Sequence, residues 1–591
     1  MGTVDTMTGR PSVDCPWLKY YPEALQKMIH LPECTVEEYL HANCPGDDVD
    51  AIDFYGTHIR WGTVFSQADQ AARALRSLGF GEGDQIPVFL ANAPEFIYLL
   101  LAAEKIGASL LSRDNTLREN VEAVHNSGAK AMFAQDWLSQ DELGRFLADT
   151  DVERVVLLDA CNSCNREEMP DYVRTNLDSR YPAEKAHGSK TLTWDEFLAL
   201  GNSYIGEVYA PADIDRPLFR AYTSGSTGPS KQVIHSARTM LSVIAQMNFY
   251  AGSADQRPTW MVTCLPPTLV AVVVAMVLMP LASNKLLILD PYCAVEDVDL
   301  ELMRNKPNSW PIIPMFIETV MRNGRVPDDY DLSHLTAAGA GSESYNNNQM
   351  QRAQKFLEDH NCHIRFTTGY GSSEAGSTVS LPMAPHPMGN GNVGIPMLFN
   401  TVSVFEPGTQ NELTYNQMGE ICIAGPGLML GYDNPKATAK ALQKHADGRT
   451  WLHTGDIGWM NEDGVIYVQT RGKATRFGGG DLATLPLENI VADANIPGID
   501  DEFFVLVPDV EHTRHFLPYL FVVLKDGYTL ADIEGPVRDC LPEEYMQPVE
   551  IRQLNARPFF HYKTNRIGLS QKIMAEKTQK TDEMDALNER C

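Results

Sequence analysis

Tyr222-Thr-Ser-Gly-Ser-Thr-Gly-Pro-Ser-Lys231 is the stretch on which the reading of this chain turns. Small and hydroxylated residues crowd into it, and a lysine closes it. Glycines let the backbone approach a ligand closely and take positive φ. Exposed N–H groups and hydroxyls then cradle phosphate oxygens, and a lysine adds a point charge. The string is not the common phosphate loop G-x-x-x-x-G-K-[ST]: Gly225 and Gly228 stand too close, and Lys231 precedes Gln232. By composition alone, a flexible surface turn reads equally well.

Working outward, three more motifs follow in order: Thr368-Gly-Tyr-Gly-Ser-Ser-Glu374, Gly419-Glu-Ile-Cys-Ile-Ala-Gly-Pro-Gly-Leu-Met-Leu-Gly-Tyr432, and Trp451-Leu-His-Thr-Gly-Asp456 with Arg471 beyond it. Together with the first stretch they resemble the acyl-adenylate-forming (AMP-binding) superfamily, closest to acyl-CoA synthetases. The chain departs from the family pattern at Ser230 and Gln232, where proline and glycine are usual, and at Ser373, where threonine is usual.

The resemblance implies an α/β fold: a large N-terminal domain of several subdomains with mixed sheets and helices, then a small mobile α/β domain. It implies an N-terminal extension over 1–35, an AMP-binding domain over 36–472, a mobile domain over 473–574 and a polar tail over 575–591. The implied activity is ATP-dependent acyl-CoA synthesis. A carboxylic acid attacks ATP, pyrophosphate leaves, and the acyl-AMP passes its acyl group to CoA. ATP, Mg²⁺ and CoA are the implied cofactors. An amine or carrier-protein thiol as acceptor, and a non-catalytic nucleotide-binding regulator, stand as alternatives.

Residue by residue, the resemblance assigns Thr223, Ser224, Gly225, Ser226, Thr227 and Gly228 to the phosphates, with Lys231 adding charge. Tyr370 would pack on adenine, Ser373 would meet the α-phosphate, and Glu374 would bind Mg²⁺. Asp456 and Arg471 would take the ribose hydroxyls. Lys473 would be the pivot of the small domain, and Gly479 and Gly480 would face the CoA arm after rotation. The usual C-terminal G-K pair is missing. Asn565-Arg566 falls on it, which makes Arg566 the aligned catalytic cation; Lys563 or Lys572 serves if the loop is shifted, and the third alternative is that no residue takes the role. Leu269, Phe316, Gly339 and Ala340 would line the acyl pocket. Their apolar, small character suits a hydrophobic fatty or aromatic monocarboxylate.

Composition bounds the rest. The chain has 591 residues, 44% of them apolar, enough for a large core and several domains. A net charge of -29 argues against non-specific nucleic-acid binding and against docking on anionic membranes. Eleven scattered cysteines read as free thiols in a reducing compartment, and Cys161-x-x-Cys164 has no second pair at zinc-site spacing. No signal peptide is evident. Leu269–Met279 is too short to span a bilayer and reads as a buried helix ended by Pro280. Cytoplasm is the default, and oligomeric state stays open. Phe65–Leu78 and Ala93–Ile106 read as helices stopped by Gly79 and Gly107; Gln85–Leu90 and Val155–Leu158 read as strands. Residues 159–190 read as a polar surface excursion, the tail as frayed, and His235 as a packing histidine.

Overall fold

The computed structural model describes residues 7–23, 26, 30–113, 117–223, 230–250, 257–472, 474–560 and 562–588. Layering begins with local signals. Pro94 opens the helix Pro94–Ile106, and Gly107 closes it at φ +76. That helix is buried on nearly every face, as an element wedged inside an α/β layer must be. The neighbouring helix Trp61–Ser77 is amphipathic and buries Val64, Phe65, Ala68, Ala72 and Leu75.

Among the described residues, two large mixed sheets form the body. In the eight-stranded sheet the order runs Gly431–Tyr432, Gln232–Ser236, Pro217–Tyr222, Ser109–Ser112, Gln85–Phe89, Ala131–Gln135, Arg154–Leu158 and Thr191–Thr193. The seven-stranded sheet runs Thr367–Thr368, Ala337–Ala340, Ser309–Ile312, Thr259–Thr263, Leu286–Asp290, Asp50–Phe54 and Thr57–Arg60. Their centres are parallel and apolar, with antiparallel pairs at the edges, the pattern of sheets covered on both faces. One continuous core joins them, including Phe96, Phe219, Val262 and Leu289.

A third sheet joins Thr401–Phe405, Gly419–Ala424, Thr450–Met460, Leu442–Lys444 and Ile466–Arg471. Trp17 and Tyr21 from the N-terminal segment enter its core, and the Tyr21 hydroxyl donates to the Pro396 carbonyl at 2.7 Å. The C-terminal module has its own sheet of Ile499–Pro508, Phe516–Leu524 and Ile551–Leu554, with a core of Leu487, Val491, Phe504, Leu520, Ile533 and Val537. It seats on the large body through polar contacts: Asn346 Nδ2 donates to the Glu502 carbonyl at 3.1 Å, and Arg352 Nη1 to the Asp500 carbonyl at 2.8 Å.

Three local readings need correction. Residues 159–190 are not only a surface excursion. They hold the helix Asp171–Arg180, anchored by buried Val173 and Leu177, while Asn162 and Ser163 hydrogen-bond the buried Glu95. The apolar run after Leu269 is buried and helical, but its Val272–Leu278 part is a π-helix and Pro280 does not end it; an α-turn continues over Met279–Ala282. The last helix runs Arg566–Asn588, through the tail expected to fray. Among the described residues no helix is long and apolar enough to cross a membrane.

Candidate active site

The Tyr222–Lys231 stretch joins the antiparallel strands Pro217–Tyr222 and Gln232–Ser236. Ser224, Gly225, Ser226, Thr227 and Gly228 lie outside the described residues, but the neck of the loop is clear. The Thr223 amide donates to the Lys231 carbonyl at 2.9 Å, and the Lys231 amide to Thr223 Oγ1 at 3.1 Å. Ser230 closes the neck further by donating to the Thr223 carbonyl at 2.6 Å. Gln232, one of the departures from the family pattern, is buried and accepts from Arg220 at 3.2 Å.

Beyond the neck, Lys231 Nζ stands 4.9 Å from the centre of the Tyr432 ring. The Tyr432 hydroxyl donates to Glu374 Oε1 at 2.8 Å. Three motifs far apart in the chain thus meet at one phenol. The Glu374 backbone is held too, since its carbonyl accepts from the Met429 amide at 2.9 Å. His235 braces the preceding peptide: its Nε2 donates to the Ser373 carbonyl at 2.7 Å, and its Nδ1 faces Thr239 Oγ1 at 3.1 Å. Complete burial pushes the His235 pKa down to about 4, so the ring is neutral at pH 7. The packing histidine of the sequence is a satisfied one, and what it satisfies is the turn that presents Glu374.

The second half of the site lies where Thr450–Met460 pairs with Ile466–Arg471, with Asp456 opposite Arg471. Gly455, at φ +74 inside the strand Thr450–Met460, bends the backbone just before Asp456. The Tyr370 hydroxyl donates to Asp456 Oδ2 at 2.6 Å, and Arg471 Nε is 3.9 Å from Oδ1. Burial raises the Asp456 pKa, opposed by Arg471 and by the Tyr370 hydrogen bond. A carboxylate so placed has two oxygens to accept from vicinal hydroxyls.

Glu420, Cys422 and His453, on the paired strands Gly419–Ala424 and Thr450–Met460, come within metal-ligand reach of one another. They are already satisfied as a brace. His453 Nδ1 donates to Glu420 Oε2 at 3.0 Å, Glu420 Oε1 accepts from the Gly455 amide at 2.9 Å, and burial keeps the Cys422 thiol protonated.

Arg566, the cation that the spacing aligns with the missing lysine, is engaged by carboxylates: it bonds Glu343, and its Nη2 donates to Glu488 Oε1 at 2.9 Å. Its Nε donates to the Phe504 carbonyl at 3.1 Å. Lys563 instead lies within electrostatic reach of Arg471, Glu343, Asp456 and Glu374. Burial and Arg471 lower its pKa, and the three carboxylates oppose the fall. Lys572 lies further along the helix Arg566–Asn588. Lys473 lies outside the described residues.

Gly479 and Gly480, in the turn between Ala474–Thr475 and Asp481–Leu482, pack against Tyr545 of their own module. Of the residues expected at the acyl pocket, Gly339 has open space where a side chain would stand, as does Gly341. Ala340 is buried beside it, and its carbonyl accepts from the Gly369 amide at 3.0 Å, which ties this strand to the Tyr370–Glu374 motif. Leu269 is half-buried. Phe316 is a correction: it is wholly buried and stacked on Trp310, so it belongs to the core and not to a lining.

A separate cavity of about 270 Å³ opens beside the Lys563 strand. Asn92, Arg113, Trp137, Arg180, Thr268 and Tyr562 are among its walls. Asn92 is 1% exposed, and its two amide atoms have no hydrogen-bond partner among the described residues; the Thr268 hydroxyl has none either.

A phosphate-loop neck, a clustered carboxylate and lysine, and a carboxylate–arginine pair on a two-module α/β frame define an adenylate-forming ligase. The chain belongs to the AMP-binding enzyme family, whose model matches residues 40–433. It is 27% identical over 494 residues to a 4-coumarate–CoA ligase of Nicotiana tabacum, covering 80% of this chain and 81% of the relative. A 4-coumarate–CoA ligase of Petroselinum crispum is 26% identical over 480 residues, covering 79% of each chain. Among solved structures, an anthranilate CoA ligase in complex with anthranoyl-AMP shares the fold with a TM-score of 0.74 at 16% identity, over 93% of this chain and 98% of that one.

Proposed function

We propose that this protein activates a hydrophobic monocarboxylate, of the aromatic class, as its acyl-AMP and passes the acyl group to CoA. The observation that carries this reading is the meeting of Lys231, Tyr432 and Glu374 with the Tyr370, Asp456 and Arg471 cluster, beside a hairpin carrying Lys563 that is tied to the large module through Thr564 and Glu343. In adenylation a carboxylate oxygen attacks the α-phosphorus, the bond to the bridging oxygen breaks, and pyrophosphate leaves. Charge grows on the α-phosphate oxygens in that step. Lys563 would stabilise it from one side and Lys231 from the other. Asp456 and Arg471 would hold the ribose, and Tyr370 would lay its ring along adenine.

Glu374 offers a hard oxygen ligand beside the Tyr432 phenol, and the nearby His235 ring is spent on the Ser373 carbonyl, a donor set that suits Mg²⁺. When bound there, the ion would neutralise charge on the departing pyrophosphate. The open space over Gly339 and Gly341 would take the acyl group, and no charged side chain appears among the pocket residues to pair a second carboxylate. The aromatic class follows the relatives, which are 4-coumarate–CoA ligases.

The acceptor would be CoA. Unpaired amide and hydroxyl atoms of Asn92 and Thr268 match an arm built of amides, and Arg113 and Arg180 match phosphates. The small module, 473–574, would turn about Lys473 between the two steps. Free thiols at every described cysteine fit a cytoplasmic enzyme.

The test is a screen of carboxylic acids for pyrophosphate release, with and without CoA. Cinnamate-like and benzoate-like acids are expected to release pyrophosphate in a single turnover without CoA, and to give AMP and thioester with it. Amide formation from an added amine, with no thioester, overturns the acceptor. No pyrophosphate with any acid overturns the enzyme.

A further inference from the structure

Glu343 follows the strand Ala337–Ala340 on the large module, yet its carboxylate is spent on the C-terminal one. Glu343 Oε2 accepts from the Thr564 amide at 2.9 Å and from the Thr564 hydroxyl at 3.0 Å. Its other oxygen accepts from Arg566. Burial alone would raise this carboxyl, but Arg566, Arg557 and Thr564 hold it below the ordinary range, so it is ionised at pH 7. Thr564 is the residue next to Lys563.

The grip is backed on the far side. Arg566 also bonds Glu488 and the Phe504 carbonyl. Arg557 makes a two-pronged pair with Asp501, at 2.8 and 2.6 Å, and reaches Thr564 Oγ1 at 3.3 Å. Asn565 closes the turn: its amide donates to the Pro558 carbonyl at 2.9 Å, and its side chain accepts from the Gly568 amide at 2.9 Å. Among the described residues, Glu343 is thus the large-module hydrogen-bond partner of the Thr564–Arg566 turn, and the Tyr562 hydroxyl adds a second cross-module bond nearby, to the Cys264 carbonyl at 3.0 Å. The Glu343 carboxylate ties the turn that follows Lys563 to the large module.

We infer that Glu343 is a positioning residue for adenylation, a large-module carboxylate that grips the Thr564–Arg566 turn and so sets Lys563 over the nucleotide site. The inference rests on the reading of Lys563 given above. It also gives Arg566 a role without ligand contact: the guanidinium is the handle by which Glu343 holds the turn. The grip must open whenever the C-terminal module turns away, so Glu343 serves the first half-reaction and not the second.

The test is a pair of single-turnover half-reactions on the full chain, with Lys563→Ala run beside each variant. Pyrophosphate release from ATP and an accepted acid reports adenylation. Conversion of supplied acyl-AMP to acyl-CoA reports thiol transfer. Glu343→Gln is expected to slow pyrophosphate release roughly tenfold or more, as losing a bond to a charged group does, with a much smaller effect on thiol transfer. The pH profile gives a readout that a mere brace would not move. The groups facing Lys563 are Arg471, Asp456, Glu374 and Glu343. Removing the Glu343 charge lowers the Lys563 pKa, so the alkaline limb of adenylation should move to lower pH. Glu343→Asp should recover part of the rate.

Equal loss in both half-reactions with an unmoved alkaline limb overturns the role of Glu343. Normal adenylation in Glu343→Gln beside a defective Lys563→Ala overturns it as well. Normal pyrophosphate release in Lys563→Ala instead overturns the reading of Lys563. Should Glu343→Gln fail to fold, Thr564→Val decides. It removes one of the two Thr564 bonds and should slow adenylation selectively, and an unchanged adenylation rate there overturns the grip.

Discussion

Tyr432 donates its hydroxyl to Glu374 at 2.8 Å, and the same ring lies under the ammonium of Lys231. Neither Lys231 nor Glu374 is near the other in sequence, so the phenol is what makes the phosphate loop and the carboxylate one unit. Tyr432→Phe keeps the ring and removes the bond to the carboxylate. A hydrogen bond to a charged group is worth about 1.5–3 kcal/mol. Pyrophosphate release should fall roughly tenfold at limiting Mg²⁺ and less at saturating Mg²⁺. Glu374→Ala should raise the Mg²⁺ requirement further, and Lys231→Ala should lower the rate at every Mg²⁺ concentration. Rates titrated against Mg²⁺ at fixed ATP check all three. An unchanged Mg²⁺ dependence in Tyr432→Phe would uncouple the phenol from the site.

Arg566→Ala should act on stability before it acts on chemistry. The substitution strands Glu343 and the more deeply buried Glu488, which is 2% exposed. Breaking a buried pair from one side typically costs about 3 kcal/mol. The guanidinium here is about a quarter exposed, so part of that cost is screened. Denaturant melts should show a lower midpoint. Arg566→Lys should recover little, because one ammonium cannot reproduce the fork to two carboxylates and a carbonyl. A stable Arg566→Ala that has lost only adenylation would return Arg566 to the place its spacing first gave it.

Pro94 and Gly107 mark both ends of their helix through backbone chemistry that any reader of sequence can apply. The four motifs were legible because each is a string of particular residues at fixed offsets, and the fold brings parts of all four together at Lys231, Glu374, Tyr432 and Asp456. The relation of Glu343 to Thr564 leaves no such trace. It joins two modules across 221 positions, and a single glutamate in a polar stretch looks like a solvated one. Arg566 is hard to read for a related reason: alignment matches positions, but not the partners that hold its guanidinium, which are Glu343, Glu488 and the Phe504 carbonyl. Phe316 misled because core and pocket linings share a composition. The helix Asp171–Arg180 hid because only Val173 and Leu177 of its ten residues are buried, too narrow a stripe to read.

Glu502 predicts a pH dependence of stability. Burial and the neighbouring Asp501 charge push its pKa up to about 8. Asn346 and Asn348 donate to its two oxygens, at 3.1 and 3.3 Å. In the unfolded chain a glutamate ionises near its ordinary pKa of about 4.3. Between that pH and about 8 the folded state holds a proton that the unfolded state has lost. Stability contributed by the protonated group is full below the unfolded value and falls as pH rises through this window, by at most about 1.4 kcal/mol per unit. Glu502→Gln should flatten that part of the curve and melt higher than wild type near pH 8. Thermal melts of both proteins from pH 5 to 9 check it. Parallel curves would mean that Glu502 ionises normally.

Gly480 predicts a defect that separates the two half-reactions. A Cβ on Gly480 would stand 2.8 Å from the Tyr545 ring, with the rest of the ring edge close behind. Tyr545 has little freedom to retreat, because its carbonyl and those of Glu544 and Gln547 all receive Arg476 Nη1. Gly480→Ala therefore has to shift the turn between Ala474–Thr475 and Asp481–Leu482. Among the described residues the side-chain hydrogen bonds of that turn run to Glu544, Tyr545 and Gln547 of its own module, so adenylation should stay within about threefold of wild type, the scale of a surface change. Thiol transfer from supplied acyl-AMP should fall more, since the displaced turn is the one assigned to the CoA arm. Overpacking typically costs about 1–3 kcal/mol, which sets the loss at roughly tenfold or more if the turn must recover its shape to act. Tyr545→Ala opens the space, so the double variant Gly480→Ala with Tyr545→Ala should regain transfer relative to Gly480→Ala alone. Equal loss in both half-reactions would place the defect in folding, and full activity in Gly480→Ala would remove the glycine turn from the transfer step.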